Sequence, residues 1–238
     1  MPKIAKSYIA LVIASGTTLL LFAAGSWSNA NIKQFAIYLG LAALASTLKI
    51  RIPRLEGTVS PNFLFLLLGM AVCQFSEVVV ISLTSAIVQS LWASSKRPRL
   101  VQVAFSAAAL VVSSSLAYAL SHRLLIGDSP EFSVSRVILA GSLYFPLNSA
   151  LVSAVISLVE GQPLRGVFGR CYQSVFPYFV GGIAFAALVS GFYSVSTAWI
   201  GALLLVPVVV FSYLYSLSRS QHSLPAAVRA SSVEQHNL

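Results

Sequence analysis

Charge is scarce in this chain of 238 residues: 9% are Asp, Glu, Lys or Arg, and only 6 residues are acidic. A soluble domain carries about 25% charged residues, and 9% is too little to coat a globule of this size. That excludes a cytosolic enzyme, a nucleic-acid module and a disordered chain. Cysteine is nearly as scarce, and two residues make no disulfide framework. Cys73 and Cys171 are read as unpaired apolar residues. The three histidines, His122, His222 and His236, sit in or beside polar segments. There is no His-Glu-x-x-His, no Gly-x-Ser-x-Gly and no Gly-x-x-x-x-Gly-Lys, so zinc, serine-elbow and phosphate-loop chemistries lack their residues. Nor does any apolar run carry paired acids or a proton relay. No enzyme activity, cofactor or metal is expected.

What is abundant is apolar sequence: 57% hydrophobic residues and a mean hydropathy of +0.85. The runs are long and do not alternate, so spans are helical rather than barrel strands. A crossing needs about 20 apolar residues. Runs at 8–24, 32–48, 100–121, 134–159, 171–190 and 197–217 fit that length. The run 62–92 is too long for one crossing and is interrupted by Cys73-Gln74-Phe75-Ser76-Glu77. It predicts a hairpin of short helices, 62–72 and 76–92, the first too short to cross an ordinary bilayer fully. The expectation is therefore an all-α, polytopic membrane helix bundle of about eight helical segments, two of them forming the hairpin.

Charge placement tests that count. With the N-terminus inside, Lys3, Lys6, Lys49, Arg51, Arg54, Lys96, Arg97, Arg99, Arg165, Arg170, Arg219 and Arg229 are cytoplasmic. Only Lys33, Arg123 and Arg136 fall outside. A single crossing at 62–92 would invert everything after it and destroy this positive-inside bias. Both termini are expected in the cytoplasm, in a bacterial inner membrane. Lys3, Lys6 and Ser28-Asn29-Ala30 loosely resemble a secretory leader, but the apolar run exceeds the usual length and the segment is read as a retained span. Residues 1–218 form the membrane domain, and the polar tail 219–238 is expected to be disordered.

Ionisable residues inside a membrane are functional candidates by default, and only Glu77 qualifies. Its simpler role is to complement the dipole of the helix that starts beside it; its functional role is a polar contact in an outward pocket. Tyr144 and Asn148 lie one turn apart beside Pro146 and could share a cavity or fix helix packing. Trp92 fits an interfacial belt, whereas Trp27, Tyr193 and Trp199 are on the outer side, where a pocket could use aromatic walls. Small residues four apart, Ala10/Ala14, Ala104/Ala108, Ala186/Ser190 and Ala198/Ala202, mark close helix packing or docking.

Glu56-Gly57-Thr58-Val59-Ser60-Pro61-Asn62-Phe63-Leu64-Phe65-Leu66-Leu67-Leu68-Gly69 joins a basic, proline-containing loop to a short Phe-x-Phe helix. With Val88-Gln89-Ser90-Leu91 and Tyr144-Phe145 plus Asn148, it resembles the vitamin-uptake-like sensor domains found ahead of cyclic-di-GMP signalling domains in bacteria. Those are in turn similar to the S components of energy-coupling-factor vitamin transporters. The resemblance spans roughly residues 8–217. It departs after Phe105, where Ser106 and Ala109 stand in place of an expected Asn and Gln. No attached signalling domain is expected from these 238 residues.

The resemblance implies an S-component-like fold with an outward-open cavity. Gln74, Glu77, Tyr144, Asn148, Trp27, Tyr193 and Trp199 would line it. The expected function is a non-enzymatic membrane sensor or small-molecule-binding domain. Its expected partners are the lipid bilayer, a small vitamin-like ligand and a homodimer mate or separate signalling protein, with no nucleic acid. Two alternatives stand beside it. One is a vitamin-binding transport subunit that docks through Ala10 and Ala14. The other is a dimeric scaffold that has lost its ligand, toward which Ser106 and Ala109 lean.

Overall fold

A computed structural model of the chain describes residues 1–28, 31–48, 50–51, 58–92, 98–126 and 130–191. They belong to one compact unit, Met1–Val195; the second unit, Ser196–Leu238, lies outside them. The expected segment 197–217 and the polar tail therefore lie outside the described residues.

Seven helices account for nearly all of the described chain: α1 (Lys3–Gly25), α2 (Ile32–Thr47), α3 (Asn62–Val72), α4 (Phe75–Leu91), α5 (Leu100–Leu124), α6 (Pro130–Glu160) and α7 (Leu164–Gly191). A two-residue antiparallel ladder pairs β1 (Ile50–Arg51) with β2 (Thr58–Val59). Lys3–Gly25, Leu100–Leu124 and Val134–Glu160 are long and apolar enough to cross a membrane. Leu164–Arg170 and Val175–Gly191 make a fourth candidate if taken as one span bent by 54°. Pro177 leaves the carbonyl of residue 173, within that bend, without its helical donor. In α6, by contrast, the helix continues through Pro146.

The run 62–92 folds as two helices joined by Cys73 and Gln74. Beyond Asn62, the 11-residue α3 is apolar on every side, and from Asn62 to Met70 all residues are buried, as such a helix must be. It packs against α2, α4, α6 and α7. Close approach there is set by glycine. A Cβ on Gly182 would strike the ring of Phe63, and one on Gly141 would lie 2.6 Å from Ile183 Cγ1 and 3.2 Å from Leu67 Cδ1.

The hairpin also fixes the direction of α5. Tyr8, early in α1, packs on Phe105, early in α5, with ring centroids 6.3 Å apart. Late in α1, Phe22 meets Phe75 at 5.9 Å, and Phe75 meets Tyr118, late in α5, at 5.7 Å. The two helices are parallel, so Arg99 begins α5 at the end where Lys3 and Lys6 begin α1. They approach closely at Gly16, where an added Cβ would sit 2.7 Å from Ala108 Cβ.

Polar side chains on the exposed faces satisfy themselves. Ser15, Thr17 and Thr18 donate to the carbonyls of Leu11, Ile13 and Ala14 at 3.0, 2.9 and 3.0 Å. On either side of them stand exposed Leu11, Leu21 and Phe22. This surface asks nothing of water, which is the condition for a lipid-facing helix.

Candidate functional site

Where α3 turns into α4, the chain gathers polar groups from three elements. The backbone N–H of Gln74 donates to Glu77 Oε2 at 2.8 Å. The carboxylate thus caps the start of α4 and satisfies a donor that the helix leaves open. Glu77 is only 4% exposed, and its second oxygen, Oε1, is buried without a hydrogen-bond partner. A buried carboxylate oxygen left in that state is costly. It is the one acidic oxygen among the described residues so placed.

The end of α1 brings further polar groups to this turn. Ser28 Oγ donates to Gln74 Oε1 at 2.6 Å, and the hydroxyls of Ser26 and Ser76 lie 3.3 Å apart. Trp27, between those serines, is 39% exposed and meets Phe35 edge-on at 5.6 Å. From α5, Tyr118 stacks on His122 at 3.9 Å and lies within reach of the charges of Glu77 and Arg136. Arg136 Nε donates to the carbonyl of Leu125 at 3.2 Å. Cys73 is buried in the turn itself. Desolvation, and then the nearby Glu77 charge, push its thiol up to about 12.

Three of the sequence candidates, Trp27, Gln74 and Glu77, therefore meet at one end of the bundle. Tyr144 belongs to a different cluster: it is buried on α6 with its ring centroid 6.2 Å from that of Phe179 on α7. Asn148 is half-buried one turn further along α6. Tyr193 and Trp199 lie outside the described residues. Among the small residues, Ala108 is buried against α1, while Ala10, Ala14 and Ala104 are exposed. Ala198 and Ala202 lie outside the described residues.

Sequence reasoning passes over several contributors. Ser26, Ser28 and Tyr118 carry no pattern of their own. Ser60 stands out only as part of a longer motif. Its hydroxyl stands 3.0, 3.1 and 2.8 Å from the carbonyls of Ala45, Ser46 and Leu48, donating to one at a time and closing the end of α2. Further in, Ser82 on α4 donates to Ser114 on α5 at 2.8 Å. Among the described residues, no group of three or more His, Cys, Asp or Glu is placed to hold a metal ion.

No protein-family model, curated protein or solved structure matches this chain.

Proposed function

We propose that this protein is a non-enzymatic, polytopic membrane protein that binds a small molecule at the Glu77 end of its bundle and signals through helix packing. The observation that carries this reading is the unpartnered, buried Oε1 of Glu77, set among hydroxyls and aromatic rings. A carboxylate used only as a helix cap needs no burial of its second oxygen. Contacts from α1, the hairpin turn and α5 converge there, so an occupant would bias how those elements pack.

The finer assignments belong to the same proposal. The membrane is the bacterial inner membrane, both termini are cytoplasmic, and the Glu77 end faces outward. The charge asymmetry supports this, as does the parallel course of α1 and α5, which gathers Lys3, Lys6 and Arg99 at the opposite end. The likeness to vitamin-uptake-like sensors gives the occupant a vitamin-like size.

A second reading, a subunit that docks on a separate energising or signalling protein, is favoured by the exposure of Ala10, Ala14 and Ala104 on neighbouring helices α1 and α5.

The test of binding is a thermal shift. A ligand that binds only the folded state stabilises it by mass action. A low-molecular-mass extract of bacterial cells should raise the Tm of the purified, detergent-washed protein. No shift at any extract concentration contradicts the proposal.

A further inference from the structure

Resting on the ligand-binding reading above, we infer that the occupant of the Glu77 end is an organic ammonium, held through Glu77 Oε1. The carboxylate has one oxygen engaged by the Gln74 N–H at 2.8 Å and one buried with no partner. An ionised carboxylate only accepts hydrogen bonds, so what completes it is a donor. Of the neighbouring polar groups, Ser28 is matched with Gln74 and Ser26 with Ser76, while Arg136 Nε donates to the carbonyl of Leu125.

The start of α4 would otherwise suit an anion. Here the chain has placed its own anion there, and a second would be repelled. A positive group is attracted by that carboxylate and gains charge-assisted strength from the buried site; Arg136, a cation of the chain at this end, directs its Nε to the carbonyl of Leu125 at 3.2 Å. Aromatic surface points the same way. Phe22, Phe75 and Tyr118 form a continuous series of ring contacts across α1, α4 and α5. Phe75 begins the turn of helix that carries Glu77, and aromatic faces attract ammonium groups. A bare divalent cation fits less well, because it asks for about six or more oxygen ligands and this end offers one carboxylate.

The test uses the full chain in lipid nanodiscs and saturation-transfer NMR with three probes of one shape: phenethylammonium, 3-phenylpropanoate and 3-phenylpropanol. The ammonium should bind in preference to both others, and Glu77→Gln should weaken it about tenfold or more. Equal or better binding of the carboxylate overturns the inference. So does unchanged ammonium affinity in folded Glu77→Gln. Should that variant not fold, the charge preference of the wild type decides alone. If none of the probes binds, this inference fails. The cell-extract thermal shift then separates the two claims: a persisting shift leaves ligand binding standing, and its absence removes both.

Discussion

The side chain of Asn62 donates from Nδ2 to Oε1 of Gln89 at 3.3 Å, tying the first residue of α3 to the last turns of α4. The bond closes the open end of the hairpin, opposite the turn that carries Glu77. Asn62 is buried, so removing its partner strands a polar group. Gln89→Ala should cost about 1–3 kcal/mol of unfolding free energy. The double variant with Asn62→Ala should cost less than the sum of the two singles. A denaturant titration in mild detergent measures both; strict additivity would show that the bond carries nothing.

The contact between α1 and α5 makes a sharper steric prediction. Nothing larger than hydrogen fits at Gly16 beside Ala108 without a shift of one helix. Gly16→Leu should lower stability by about 1–3 kcal/mol or more, whereas Ala10→Leu, on an exposed position of the same helix, should change little. Equal effects at the two sites would contradict the parallel α1–α5 packing.

Cys73 gives a pH dependence. In the fold its thiol is pushed up to about 12, against an ordinary value of 9.0. The native state therefore keeps the proton that the unfolded chain gives up. This contribution to stability is whole below about pH 9 and is lost as pH rises toward 12. Cys73→Ala should flatten the loss of stability across that window. Maleimide should also leave Cys73 unlabelled at neutral pH until the protein is unfolded.

Membrane topology can be read by labelling single cysteines in a background lacking Cys73 and Cys171. Ser28→Cys and Leu125→Cys should react from outside intact cells. Lys6→Cys and Arg99→Cys should react only after permeabilisation. Labelling Arg99→Cys from outside would undo the orientation that the hairpin gives to α5 and the helices after it.

Much of this architecture is legible because membrane helices announce themselves by length and apolarity. The bounds of α3 are plain in the sequence: Pro61 suits a helix start, and Cys73-Gln74 interrupts the apolar run. Where polar residues open a helix, the apolar signal fails. Thus α7 begins at Leu164 rather than 171, since Arg165 and Arg170 sit in its first turns. Likewise α1 starts at Lys3 and α6 at Pro130, both ahead of their apolar runs. Glu77 is visible as an acid at a helix start, although the helix begins at Phe75, capped by Gln74, rather than at 76.

Partnerships are not legible. That Gly16 faces Ala108, or that Gly182 faces Phe63, depends on how helices rotate about their axes. Weak amphipathicity in apolar helices leaves that rotation open. Tyr144 and Glu77 illustrate the same gap. Both are buried polar residues near helix irregularities, yet one joins the aromatic contact with Phe179 and the other the serine-lined turn.

The most direct measurement is native mass spectrometry of the full chain released from mild detergent, comparing wild type with Glu77→Gln. The account predicts a small bound mass on the wild type that is absent or strongly reduced on the folded variant. A bound mass retained equally by both would contradict the placement of the ligand at Glu77.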